Sequence, residues 1–274
     1  MIYDVHVHVS RGEVDQAKFL AGMKAAGVDG CVLLSLPPAC FAAAFGDAKP
    51  IGERLDNLFA WAKDAPGVFP FYWIDPTEKD AVEQVSTAVA RGVRGFKTIC
   101  NHFYPGDTSA MDCYRAIAKS GRPLLFHSGI LWDGTASSKY CRPVEFEAMI
   151  EVPGLRFALA HISWPWIDEC LATYGKFLST YKRRPGVSCE MFIDLTPGTP
   201  QIYRKEALTK IHTIGYDIAN NILFGTDGLT DYNPTWASNW IKTDNAIYDS
   251  LGVSQETREK TYHRNLMRFL GEKV

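Results

Sequence analysis

His6 and His8 stand one residue apart in the apolar run Met1-Ile-Tyr-Asp-Val-His-Val-His-Val9. In a strand, residues i and i+2 point to the same face. Both imidazoles would therefore leave one side of a strand whose other positions are mostly β-branched or apolar. Histidine is the commonest metal ligand among side chains, and two on one face can grip one ion. The plainer reading is a half-exposed strand with two solvated rings. The remainder of the chain decides between them.

Apolar β-type runs alternate with helical patterns from end to end. Strands are expected over 2–9, 29–36, 67–74, 93–100, 122–127, 155–161, 187–194 and 221–227. Helices are expected over 13–26, 53–65, 78–91, 109–120, 143–151, 165–182, 201–215 and 236–251. Thr77 and Ser254 are the expected N-caps of their helices. Eight strand-plus-helix units imply parallel strands joined by crossover helices. The strands read as near-continuous apolar runs, as strands covered on both faces should. The turn after the first one, Val9-Ser10-Arg11-Gly12, lacks the GxGxxG of a dinucleotide-binding sheet. The expected fold is therefore a (β/α)8 TIM barrel with an additional C-terminal helix over 254–270. With no linker or repeat, residues 1–274 read as one domain.

In such a barrel the active site lies at the C-terminal ends of the strands. The ionisable residues collect there. His6 and His8 end strand one, His127 strand five, His161 strand six and Asp227 strand eight. Lys97 falls late in strand four, while Glu190 and Asp194 share a face of strand seven. Three nitrogens and one carboxylate is a common make-up for a catalytic divalent site. On this reading Asp227 serves as ligand and proton acceptor, and His161 orients or polarises the reacting group or exchanges a proton with it. His212 and His263 read as surface or capping residues. His102, just past strand four, is the one remaining histidine that could reach a ligand.

The balance of charge, net −2 with 22% charged residues, argues against a nucleic-acid surface or a polybasic membrane patch. No apolar stretch approaches the length of a membrane span, and the start lacks a signal-peptide pattern, so a cytoplasmic protein is expected. The seven cysteines are odd in number with no CxxC pair, which speaks against a disulfide framework. Cys100 and Cys189, near strand ends, are candidates to line a site.

These motifs, taken in order, resemble the amidohydrolase superfamily of metal-dependent barrels. The likeness is to its amidohydrolase-2 branch, which includes aminocarboxymuconate-semialdehyde-decarboxylase-like proteins. The matching pieces are Asp4-Val-His6-Val-His8, Gly95-Phe-Lys97, Leu125-Phe-His127-Ser-Gly129, Leu159-Ala-His161, Leu223-Phe-Gly-Thr-Asp227 and the tail around Tyr262-His-Arg-Asn265. The similarity covers essentially the whole chain. It implies a metal, most often zinc, held by His6, His8, His127 and Asp227, with His161 near the reacting group. One ion is expected, with Lys97 as a substrate-facing cation; two would follow if Lys97 is carboxylated. The alternative for Lys97 is a salt bridge to Asp194 or Glu190.

The long segment after strand five carries Trp132, Lys139, Tyr140 and Arg142, and long loops in compact domains tend to be functional. Arg142 and Tyr140 are candidates to hold an anionic or polar group of a substrate; equally, Arg142 would pair with Glu145 or Glu147. Trp164, after strand six, is a candidate pocket wall, and Thr196-Pro-Gly-Thr-Pro200 a stiff turn at the rim. The expected function is hydrolysis of a C–N or C–O bond in a small, carboxylated or cyclic molecule. Non-oxidative decarboxylation of a small carboxylic acid shares every ligand and stands as the alternative, with a non-catalytic ligand-binding barrel third. The partner expected is a small-molecule substrate rather than nucleic acid or membrane; a homo-oligomer is left open.

Overall fold

A computed structural model describes residues 1–10, 12–41, 48–198 and 200–272. Arg11 in the first turn and Thr199 in the stiff turn fall outside these residues. The strands are β1 (Tyr3–His8), β2 (Gly30–Leu34), β3 (Val68–Trp73), β4 (Gly95–Thr98), β5 (Leu124–Phe126), β6 (Arg156–Leu159), β7 (Glu190–Asp194), β8 (Ile222–Leu223) and β9 (Gly228–Leu229). They pair in parallel in the order β8-β7-β6-β5-β4-β3-β2-β1-β9. The eighth strand expected over 221–227 is split. β8 pairs with β7 and β9 with β1, and between them the Phe224 carbonyl accepts a hydrogen bond from Val5 N–H at 2.9 Å. That bond brings the last strand back onto the first, as a (β/α)8 barrel requires.

Two apolar layers follow from the alternation of side chains. Val5, Val32, Leu34, Phe69, Phe71, Leu125, Ala158, Phe192 and Leu223 fill the barrel interior. The opposite faces pack against the helices α1 (Gln16–Ala26), α2 (Ile51–Ala62), α3 (Ala81–Arg91), α4 (Thr108–Lys119), α5 (Ile167–Arg183), α6 (Arg204–Thr213) and α7 (Pro234–Leu251). Local chemistry sets their ends. Asp15 accepts from Lys18 N–H at the start of α1, and Gly27, at φ 76°, closes it in the left-handed conformation that glycine adopts without steric cost. Asn233 caps α7 by accepting from Thr235 and Trp236 N–H, with Pro234 in its first turn.

Three expectations are corrected in detail. Thr77 does not cap a helix: its N–H and hydroxyl bond Asp75 in a turn, and α3 starts only at Ala81. Residues 143–151 form 3-10 turns rather than an α-helix. The C-terminal segment is α8 (Gln255–Glu259), a π turn over Lys260–Arg264 and α9 (Asn265–Leu270). Leu266, Phe269 and Leu270 of α9 join the interior layer and plug the barrel at the N-terminal ends of its strands. Among the described residues no helix is long and apolar enough to cross a membrane.

Candidate active site

The site begins with an irregularity in β1. Asp4 pairs with Cys31 and Val7 with Leu33, so one extra residue is accommodated between them. Such a bulge bends a strand and re-aims its side chains. The His6 and His8 rings nonetheless converge, with centroids 5.1 Å apart. Asp4, buried beneath them, binds the segment after β8: it accepts from Thr226 N–H at 2.9 Å, from the Thr226 hydroxyl at 2.5 Å and from the Tyr232 hydroxyl at 2.9 Å. Asp227 comes directly after, at φ 56°, a left-handed conformation uncommon outside glycine, asparagine and aspartate. Its Oδ1 lies 3.6 Å from Nε2 of both His6 and His8. Ligand atoms of these three side chains all lie within 4.8 Å of one another.

Asp194 sets the state of His6. The His6 Nδ1–H donates to its Oδ2 at 2.8 Å, and its other oxygen accepts from the Thr196 N–H at 2.7 Å and from the Thr196 hydroxyl. Nδ1 is then the protonated nitrogen and Nε2 keeps its lone pair toward the pocket. A carboxylate behind a ligand histidine is the usual arrangement around metals. Gly225 makes this packing fit, because a Cβ there would come within 3.2 Å of His6 Cβ and 3.3 Å of the Asp194 carboxylate. The sequence offered Asp194 only as an alternative partner for Lys97 and gave no sign of its bond to His6. Glu190 stands at the other end of β7, bonded to Asn221 Nδ2 at 3.0 Å and Arg268 at 2.5 Å, so it does not pair with Lys97.

Lys97 is 1% exposed, with its Nζ 3.4 Å from His6 Nε2. Burial pushes its amine below the ordinary lysine range, while Asp194 and Asp227 oppose that shift. His127 lies in the same cavity; its Nε2 bonds the Ile130 carbonyl at 3.2 Å, and its ring is 4.9 Å from that of His161. His127 is thus beside, not within, the group formed by His6, His8 and Asp227. His161 begins a run of three left-handed residues, φ 63°, 48° and 56° through Ser163, a conformation costing about 1–3 kcal/mol per residue. Its ring packs on Gly198, where a Cβ would lie 2.7 Å from His161 Cβ. His161 Nδ1 is buried without a hydrogen-bonding partner among the described residues.

Burial, then neighbouring cations, depresses all four imidazoles, to about 3 for His8 and His127. Neutral rings are what a metal requires. Two neutral imidazoles and a carboxylate facing one point, with a carboxylate behind the first ring, fit a divalent ion. Above them opens a cavity of about 490 Å³. Its floor is His6, His8, Lys97, His127, His161 and Asp227; its wall is Phe41, Trp73, Ile99, Ile130, Leu131, Trp132, Trp164 and Leu229, with Asp133 at the side.

Trp164 is in that wall, but Arg142 and Tyr140 do not line the cavity. The Arg142 guanidinium bonds both oxygens of Glu169 and stacks over Trp166 at 4.7 Å, and Glu169 also takes the Val144 N–H at 3.1 Å. A partner distant in sequence outcompetes Glu145 and Glu147, and the latter is taken by Lys176. Tyr140 packs edge-on against Tyr104 at 4.7 Å, with Lys139 Nζ 4.8 Å above its ring. Cys100 and Cys189 are buried away from the cavity.

Known proteins share this architecture. The family model described as Amidohydrolase matches residues 3–271, and the chain belongs to that family. It is an enzyme family, with metal dependence general among its members. No curated protein matches the sequence. Among solved structures, 2,6-dihydroxybenzoate decarboxylase from Rhizobium is similar with a TM-score of 0.65 at 16% identity over 98% of both chains. A probable 2-pyrone-4,6-dicarboxylic acid hydrolase from Acinetobacter baumannii gives 0.63 at 12% identity, over 98% of this chain and 99% of that one. Dihydroorotase from Campylobacter jejuni gives 0.59 at 14%, over all of this chain and 84% of that one. At these identities the likeness is one of fold.

Proposed function

We propose that residues 1–274 form one catalytic domain, a metal-dependent hydrolase that cleaves a C–N or C–O bond of a small, ring-bearing substrate. The observation that carries this is the meeting of His6, His8 and Asp227 at the bottom of a cavity with an apolar wall. His6 through Nε2, His8 and Asp227 would hold a divalent ion, zinc being the expected one, with His127 as the fourth donor. One ion is proposed, because Lys97 occupies the space next to His6 Nε2 on the opposite side from Asp194. When bound, such an ion polarises a carbonyl and acidifies water toward a pKa of about 7.

The chain's own residues supply the rest. Burial raises the Asp227 carboxyl above its usual range, which suits a group that accepts a proton from water and returns it to a leaving nitrogen or oxygen. His161, whose ring lines the same cavity, is proposed to hold the reacting carbonyl or the departing group. Lys97 provides a side-chain cation on the floor and would receive an anionic substituent. Trp73, Trp164 and Ile99 line the cavity with apolar surface on which a planar ring would pack. The free cysteines suit a reducing compartment, and we place the enzyme in the cytoplasm.

The apolar wall also favours a second reading, non-oxidative decarboxylation. Removing a substrate carboxylate from water promotes breaking its C–C bond, with the electron pair left on carbon and a proton delivered there by His161 or Asp227. Incubation with a panel of lactones, cyclic amides and aromatic acids separates the two: hydrolysis incorporates solvent oxygen, whereas decarboxylation releases CO2 without it. Asp227→Asn is expected to lower turnover by at least roughly 100-fold while the protein stays folded. Full activity in that variant, or in wild-type protein stripped by a chelator, would refute the proposal.

A further inference from the structure

A second set of ligand-type side chains lies behind the cavity wall. Cys40 comes after β2, Asp75 after β3 and His102 after β4, and their ligand atoms all lie within 4.8 Å of one another. The three belong to different loops, so the barrel topology alone brings a thiol, a carboxylate and an imidazole together. None of them lines the catalytic cavity.

Their hydrogen bonds leave one point under-supplied with positive charge. Asp75 is 6% exposed; its Oδ1 accepts from Thr77 N–H at 2.9 Å and from the Thr77 hydroxyl at 2.7 Å, while Oδ2 faces His102 Nε2 at 3.7 Å. Asn101 fixes the ring: its Nδ2–H donates to the Cys40 carbonyl at 3.3 Å, so its Oδ1 accepts from His102 Nδ1–H at 2.6 Å. With Nδ1 carrying the proton, the Nε2 lone pair looks at the Thr77 hydroxyl oxygen at 3.0 Å and at Asp75 Oδ2. The hydroxyl hydrogen is already given to Asp75, so acceptors face one another. A proton, on the ring or on the Cys40 thiol that hydrogen-bonds Asp75, or a cation in its place must sit among them. A cation that displaces the thiol proton meets thiolate, imidazole and carboxylate together, a set that suits zinc-like ions.

We propose that Cys40, Asp75 and His102 form a second divalent-metal site, distinct from the one at His6, His8 and Asp227, with Asn101 as its positioning residue. The site does not depend on the proposed catalytic activity. Its consequence is mechanical. Phe41, Trp73 and Ile99 form a small apolar cluster of their own, and each is within three residues of a member of the site. Phe41 and Trp73 touch at 5.4 Å, and Trp73 lies 5.5 Å from His8. An ion here ties three loops together and fixes the wall against which a substrate packs.

Cobalt substitution tests it, because the catalytic site offers only nitrogen and oxygen donors. Wild-type protein loaded with Co2+ is expected to bind two equivalents and to show thiolate-to-cobalt charge-transfer absorption in the near ultraviolet. Cys40→Ser and His102→Gln should each bind one equivalent, with that band gone in Cys40→Ser. Asp227→Asn should keep the band. Asn101→Ala should weaken the second equivalent by roughly 10–100-fold. Cys40 and His102 are exposed residues, and circular dichroism checks that each variant folds. A single equivalent that carries the band still supports the proposal and counts against the catalytic ion instead; wild-type protein with no thiolate band, or with a band that survives Cys40→Ser, overturns it.

Discussion

The two ends of the barrel handle their polar groups in opposite ways. At the N-terminal end, cations are committed to fixed acceptors. Arg156 donates to the Phe269 carbonyl at 2.8 Å and the Gly121 carbonyl at 2.7 Å. Arg268 bonds Glu190 and the Asn220 carbonyl, both at 2.5 Å, and Asn265 Nδ2 bonds the Ala219 and Ile222 carbonyls. These donors fasten the C-terminal helix α9 over exposed strand ends. At the C-terminal end the imidazoles are held neutral, Lys97 is pressed against His6, and both His161 and Asp227 sit at positive φ. One end commits its groups to fixed partners, with Arg268 Nε left over, and closes the core; the other holds groups short of full satisfaction, which is the condition for binding something.

Phe269→Ala should produce the largest stability change, because it empties part of the plug between Phe71, at 6.4 Å, and Phe192, at 5.0 Å. A loss of about 3–5 kcal/mol is expected in chemical denaturation, with unchanged KM in the fraction that remains folded. Asp194→Asn cuts the other way. The amide cannot hold the His6 tautomer through Oδ2 as the carboxylate does, so metal affinity should fall by roughly 10–100-fold while thermal unfolding of the chelated protein shifts little. If Asp194→Asn bound metal as tightly as wild type and Phe269→Ala did not, the assignment of chemistry to one end and support to the other would be reversed.

Acid should also separate the two ends. Four imidazoles of the site have folded pKa values below the ordinary 6.5, with His8 and His127 near 3. The unfolded chain therefore binds more protons at these positions between about pH 3 and 6.5, so their contribution to stability is present above that window and lost as pH falls through it. Asp4, Asp194 and Asp227 have raised values and take up protons in the folded state over part of the same range, which offsets some of the loss. The imidazoles outnumber these carboxyls. In the presence of a chelator, the urea midpoint is expected to drop between pH 7 and pH 4, and to drop less in His127→Gln, which removes one of the titrating rings.

How much the sequence disclosed depends on how local each feature is. β1 announced itself through apolar alternation, and His6, His8, His127, His161 and Asp227 were visible because strand ends in a parallel barrel carry the site. Lys97 was visible as a member but not in its contact with His6. Asp194 was visible as a pocket-end carboxylate, yet its partner is set by a bulge in a strand 188 residues away. Thr77 looked like a helix cap, but its local bonds to Asp75 and its tertiary contact with His102 make it a brace for a turn. Gly198 and Gly225 fell inside segments the sequence marked out, 196–200 and 223–227, but nothing local said why glycine is needed, since what excludes a side chain there is a group from elsewhere in the chain. His102 was singled out as a loop residue within reach of a ligand; Cys40 and Asp75 could have joined it only by noticing that all three come after adjacent strands.

Arg142 offers the smallest expected effect and the sharpest check on where the substrate is read. By residue type and loop position it belongs with anion recognition, and removal of an arginine that grips a substrate carboxylate should raise KM strongly. The structure commits its guanidinium to Glu169 and to the face of Trp166, outside the cavity. Its side chain is 43% exposed and that of Glu169 22%, and such partly solvated pairs contribute about 0–1 kcal/mol. Arg142→Ala is therefore expected to lower the melting temperature slightly and to leave KM within twofold. Lys97→Met, the contrasting variant, removes the floor's cation without adding bulk and should raise KM for a carboxylated substrate far more than for its neutral amide or ester. If KM rose in Arg142→Ala and stayed flat in Lys97→Met, the anion would be bound at the loop above the cavity rather than at its floor, and the division of labour within the rim would have to be redrawn.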